Sequence, residues 1–216
     1  MPPKPKYTKS EIVSAAFELA RTRGEEAVTA REVGKQLSTS SSPIFTGFKD
    51  MEELKGEVRK LAEARFSEYM KIADDYSPAY KKRGMQWVKF AQEEPMLFRL
   101  LFMRHDDAES SFEKASVMIP FGKENDIAII ERDYHASREQ AEHLFRQMWI
   151  YTYGMCSLCA SGVCAFSESE IAKQLGEIFS GMVYIINSAE APTLMPIEKC
   201  KPESLEIDRA NPDFRR

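Results

Sequence analysis

The residue pattern predicts an all-α protein in which a small three-helix unit near the N-terminus stands on a larger helical body. No stretch keeps a strand's two-residue alternation for long. Five Ser/Thr/Asp-x-x-Glu/Gln spacings (Thr8/Glu11, Thr29/Glu32, Asp50/Glu53, Ser137/Gln140, Ser167/Glu170) each precede an apolar stripe at helical spacing. Residues 29–54 read as two short helices around a tight turn, followed at once by a third helix start.

The first helix is capped by Thr8, with Glu11 in the reciprocal position, and carries Ile12, Ala15, Ala16 and Leu19 on one side until Gly24 ends it. Thr29 and Glu32 open the next near Ala30, with Val33 and Leu37 sharing a face. Ser38, Thr39 and Ser40 compete for backbone hydrogen bonds and mark a turn, and Pro43 fits only the first turn of a following helix, read as residues 41–47. Its inward side is read as Ile44, Phe45 and Phe48, leaving Ser41, Ser42, Pro43 and Thr46 outward. Three such helices bury little on their own, so the long helix from Met51 to about Ala73 serves as their floor.

Beyond Pro78, residues 80–92 carry Met85, Trp87, Val88 and Ala91 before Pro95, and Leu97, Phe98, Leu100, Leu101 and Phe102 form a dense apolar run. Residues 105–122 read as a loop, and Asn125 as the cap of a short helix through Arg132. Ser137 opens a helix lasting to about Ser161 and closed by Gly162; Ser167 opens the last, with Ile171, Leu175, Ile178, Phe179, Met182 and Ile185. From Glu190 four prolines and scattered charges leave no periodicity, so 191–216 is read as an extended or disordered tail.

The pattern Ile12, Ala15, Ala16, Gly24, Thr29, Arg31, Val33, Leu37, Ser40, Ile44, Phe45, Phe48, Leu54 resembles the N-terminal domain of TetR/AcrR-type transcriptional regulators. The run Trp149-Ile150-Tyr151-Thr152-Tyr153-Gly154 is similar to a motif in one class of their C-terminal domains, of the form Trp-x-x-x-His/Tyr-Gly. The resemblance implies a DNA-binding domain over 1–50, an effector-binding and dimerisation domain over 51–190, and a homodimer that represses transcription from an inverted-repeat operator until a small molecule releases it. It also implies that Arg31, Ser41, Ser42, Pro43 and Thr46, with Ser40 beside them, face the major groove. Phe45, Lys49 and Met51 would lie against phosphates, where the family usually carries Tyr and Lys at positions 45 and 51. Two phosphate donors are thereby replaced, and the load shifts to Lys49, Lys55 and the basic arm of Lys4, Lys6, Tyr7 and Lys9. Gly34 and Ser38 stand where the family has Ala and Gly. Arg31 is the one long donor in a serine-rich set, so sequence choice is expected to lean on Arg31, on Pro43 against a thymine methyl and on DNA deformability.

Composition is consistent with that reading without deciding it. At 43% hydrophobic and 30% charged, 216 residues make a core-forming chain with no membrane character. Residues 1–60 hold 11 Lys or Arg against 9 Asp or Glu and the remainder 19 against 25, so a weakly basic head sits on an acidic body. The opening Met-Pro-Pro-Lys-Pro-Lys-Tyr lacks the apolar core of a signal peptide, and cytoplasmic residence is expected. Residues 147–167 carry no charge over a length that would cross a bilayer of about 30 Å, yet Gly154 and Gly162 break the run, and a buried helix is the expectation. Its small residues Gly154, Ser157, Ala160 and Ser161, paired with the apolar last helix, make it the candidate dimer interface, a four-helix bundle from two chains.

An effector pocket would draw on Trp87, Phe90, Phe98, Phe102 and Met103 from the first half of the body and Met148, Trp149, Tyr153 and Cys156 from the second. Tyr153 or His105 would be its polar anchor, although side chains at that spacing also make ordinary core. Cys156 and Cys159 form a C-x-x-C on a helix without a second pair, which argues against metal and for structural thiols, with a thiol-based redox regulator as the alternative. No nucleophile–base–acid set, zinc motif or phosphate loop occurs, so neither enzyme activity nor a cofactor is expected. A helical interaction protein that has lost DNA binding is the other competing reading, kept open by Phe45 and Met51.

Overall fold

The computed structural model describes residues 7–103 and 123–188. Among these residues every regular element is helical: α1 (Lys9–Arg23), α2 (Ala30–Gln36), α3 (Ser42–Gly47), α4 (Met51–Lys71), α5 (Ala79–Glu93), α6 (Pro95–Phe102), α7 (Lys123–Tyr134), α8 (Arg138–Ala160) and α9 (Glu168–Asn187), with short 3₁₀ turns at Glu25–Ala27 and Ile72–Asp75.

Helix starts follow side-chain chemistry closely. Thr8, Ser137 and Ser167 each accept from the amide three residues on, while Glu11, Gln140 and Glu170 reach back to the cap amide, so two orphan donors are satisfied at each end. Two of the five boxes are only half built. The Thr29 hydroxyl accepts from Glu32 N at 3.2 Å, but the Glu32 carboxylate is taken by Arg23 at 2.8 Å and Lys35 at 2.6 Å. Asp50 accepts from Glu53 N at 2.9 Å, and the Glu53 carboxylate accepts from Lys49 N instead of the cap's own amide. Gly24, at φ 89°, and Gly162, at φ 73°, close α1 and α8 in conformations a side chain would strain.

Two expectations are corrected. Asn125 is not a cap: α7 starts at Lys123, placing Asn125 inside its first turn. Phe45 does not face inward: Ile44 and Phe48, four residues apart, share the buried side of α3, whereas Phe45 is rotated about 100° from Ile44 and is 52% exposed. The loop expected at 105–122, including His105, and the tail from 191 lie outside the described residues.

One continuous core joins the small unit to the body. α1 packs on α4 and α6, and α5 runs through the middle against α4, α6, α8 and α9. Phe66 of α4 sits at the junction, with Trp87, Phe90 and Phe102 rings 4.8–5.1 Å away in edge-on arrangements. Burying a ring of this size contributes about 1.5–3 kcal/mol before edge contacts are added. Among the described residues no helix is long and apolar enough to cross a membrane, and α8 is packed against α5 and α7 instead.

Candidate functional site

The α2–turn–α3 unit is held by backbone bonds. Leu37 N donates to Val33 O at 3.1 Å and Thr39 N to Gly34 O at 2.8 Å, with Ser38 in the left-handed region at φ 52°. A Cβ on Gly34 would meet the carbonyl oxygens of Thr39 and Ser40 at 3.0 Å, so the turn closes on bare backbone. Ser41 caps α3 without spending its hydroxyl on a cap bond. The exposed edge of the unit then consists of Arg31, Ser40, Ser41, Ser42, Phe45 and Thr46, with Pro43 half-buried. Arg31 has no ion-pair partner among the described residues, and Lys49 is exposed. Lys55 is one-quarter exposed and engaged by Glu52 at 3.3 Å. The Tyr7 hydroxyl donates to Leu37 O at 2.5 Å, which ties the chain preceding α1 to the end of α2; Lys6 lies outside the described residues.

A second feature lies in the body. α5, α7, α8 and α9 line a cavity of about 260 Å³. Of the nine residues expected to make a pocket, Trp87, Met148, Trp149 and Tyr153 line it. Phe90, Phe98 and Cys156 are instead fully buried core side chains, and Phe102 packs on Trp87 at 4.7 Å. Met103 is 40% exposed and borders a separate cleft with Gly24 and Met96.

The cavity's polar groups were not legible beforehand. The Arg83 guanidinium donates through Nε to Asp126 Oδ1 at 2.6 Å, with the two side chains 4% and 8% exposed. Burial pushes the Asp126 carboxyl above its ordinary range, against the opposing pull of Arg83. Burial, and then the Asp126 charge, push the Tyr80 phenol well above its usual value. Thr152, Leu175 and Phe179 complete the wall. Charged residues on amphipathic helices ordinarily read as solvated, and no local spacing announces a pair 43 positions apart.

The two C-x-x-C thiols are shielded. Burial pushes Cys156 up and holds Cys159 at about 11, so both are protonated at neutral pH, and Cys159 donates to Gln92 Oε1 at 3.5 Å. The same Gln92 oxygen accepts from Phe166 N at 2.6 Å, and its amide donates to Phe166 O at 3.2 Å, pinning the connection from α8 to α9. Cys164 is exposed.

Fold and surface together define a class: a helix-turn-helix unit with an exposed polar edge, set on a helical body that carries an aromatic-lined cavity. No family model matches the chain, and no curated protein matches it. The chain is similar in structure to a TetR-like transcriptional regulator from Rhodococcus sp. RHA1, with a TM-score of 0.60 over 81% of this chain and 94% of that one, at 12% identity. That likeness establishes a TetR-like fold.

Proposed function

We propose that the protein is a DNA-binding transcriptional regulator, a repressor whose homodimer leaves an inverted-repeat operator when a small effector occupies the cavity. The observation that carries this reading is the division of α3: Ile44 and Phe48 anchor it while Ser41, Ser42, Phe45 and Thr46 stand exposed. An edge of hydroxyls and one ring left out of the core supports this reading, since the major groove admits a helix and is read by such exposed side chains.

In this reading residues 1–50 form the head and 51–190 the body. Arg31 reads a guanine edge, Ser41, Ser42 and Thr46 reach bases or phosphates, and Lys49 and Lys55 neutralise phosphate charge. Dimerisation falls to α8 and α9, whose outer faces leave Ile150, Leu158, Ile178, Tyr184 and Ile185 exposed. Added Cβ atoms at Gly154 and Gly181 would meet nothing within 4 Å, so both helices offer bare spots for close approach. Half-sites lie in successive major grooves about 34–36 Å apart, so an effector that favours a body with a different head spacing lowers operator affinity by its differential affinity for the two states.

Selection of binding sites from random duplex DNA by the full chain tests this directly. An enriched inverted repeat whose affinity falls steeply with salt is the expected result. Enrichment of no sequence, together with salt-independent retention, would sink the regulator reading and favour a helical interaction protein.

A further inference from the structure

We propose that the cavity takes a planar aromatic molecule of about two fused rings carrying one hydrogen-bond donor, a hydroxyl or a protonated amine, which it sets on the Asp126 carboxylate. This rests on the reading that the cavity is the effector site, and adds the chemistry of what enters it.

The walls supply flat apolar area. Trp149 and Tyr153, one turn apart on α8, stack with centroids 5.2 Å apart and planes inclined by 19°, making one continuous face. Phe179 of α9 brings Tyr134 to 4.6 Å and Tyr80 to 6.0 Å, a second aromatic group drawn from three helices. A volume of about 260 Å³ has room for two fused rings.

Asp126 sets the polarity. One of its oxygens takes Arg83 Nε, and the other accepts no hydrogen bond among the described residues, although a carboxylate has room for several. Beside the aromatic walls that oxygen is open to a ligand donor, and a ligand carboxylate set on it would meet a like charge. Aromatic faces accommodate either a neutral hydroxyl or, through their quadrupoles, a cation. Lys81, on the rim, is exposed and screened.

The chain's two tryptophans, Trp87 and Trp149, both line the cavity, so intrinsic emission places a bound probe while calorimetry measures it. The full chain is titrated with 2-naphthol, 2-naphthylmethylammonium, 2-methoxynaphthalene and 2-naphthoate. The expected order has one or both donor probes binding at least tenfold more tightly than the methoxy and carboxylate probes, and the tighter of the two separates a hydroxyl from an amine effector. In the paired variant R83M/D126L, which removes both buried charges together, naphthol and methoxynaphthalene should bind equally. Should that variant not fold, the four-probe order in the unaltered chain decides alone. If neither donor probe binds more tightly than methoxynaphthalene, or naphthoate binds tightest, with tryptophan emission responding, the donor assignment is overturned and the effector site survives. If no probe binds, both fall.

Discussion

Glu94 and Arg21, 73 positions apart, meet in a two-pronged ion pair: Arg21 Nε lies 2.7 Å from Oε2 and Nη2 lies 2.8 Å from Oε1. Arg65 of α4 adds Nε and Nη2 to the same Oε1, both at 3.2 Å. One carboxylate, 3% exposed, thus binds α1 and α4 to the junction of α5 and α6, whereas the guanidiniums remain more than a third exposed.

Glu94→Gln keeps the shape and removes the charge that both arginines share. Because the arginines can turn to water, the expected loss is about 1–3 kcal/mol, smaller than for a fully buried pair. Urea denaturation checks it. An unchanged midpoint would mean that the pair is a surface ornament despite the buried carboxylate.

Phe66→Ala should cost about 3–5 kcal/mol, since it empties the meeting point of Trp87, Phe90 and Phe102. Thermal unfolding followed by circular dichroism reads the loss. A cost near that of an exposed residue would show that the aromatic cluster closes over the gap.

Asp126 should titrate above its ordinary 3.8. With the folded value raised, the native chain holds the proton more tightly than the unfolded one, so the group's contribution is fullest at acid pH and declines as pH rises from 3.8 through the folded midpoint. The carboxyl carbon resonance of Asp126 gives that midpoint directly. The stability difference between the unaltered chain and Asp126→Asn should decline over the same interval, and a midpoint at or below 3.8 would contradict the assigned role of burial.

Thiol labelling mapped residue by residue should modify Cys164 quickly at neutral pH and leave Cys156 and Cys159 protected until the chain is unfolded. Cys159 becomes thiolate only as pH approaches about 11. Rapid modification of Cys156 and Cys159 in the folded protein would restore the redox-regulator reading.

Phe45→Tyr places a hydroxyl on an exposed ring at the edge of α3. If that edge lies along a phosphate, duplex affinity should rise by roughly 0.5–1.5 kcal/mol with no change in selected sequence, whereas Arg31→Ala should relax base preference at one position of each half-site. Site selection and a binding isotherm on both variants separate the two effects. A shifted base preference for Phe45→Tyr would make Phe45 a reader instead of a backbone contact.

How much of this could be read without coordinates depends on whether the cause was local. Thr8, Ser137 and Ser167 announced their helices because a cap and its return partner sit three residues apart. The turn at Ser38 to Ser40 was legible for the same reason. Asn125 is ambiguous because a good capping residue is also tolerated inside a helix, and Phe45 because apolarity does not imply burial on a helix too short for a clear stripe. The cavity was half visible: Trp87, Met148, Trp149 and Tyr153 were recognisable as aromatic or adaptable side chains, while Arg83 and Asp126 meet only once α5 and α7 pack. The Glu94 junction left no trace, since its partners come from two other helices.

α6 is pinned at both ends. Its final carbonyl, on Phe102, accepts from the Tyr153 hydroxyl at 2.8 Å, and its leading edge is Glu94. Eight residues make a rod of about 12 Å, too short to bend, so it behaves as a strut. Tyr153 of the cavity wall and the carboxylate gripping Arg21 are thereby joined through one short rigid element. Lengthening this segment by a residue would shift the Phe102 carbonyl about 1.5 Å along the axis and rotate it about 100°, so the two anchorages could not both be kept.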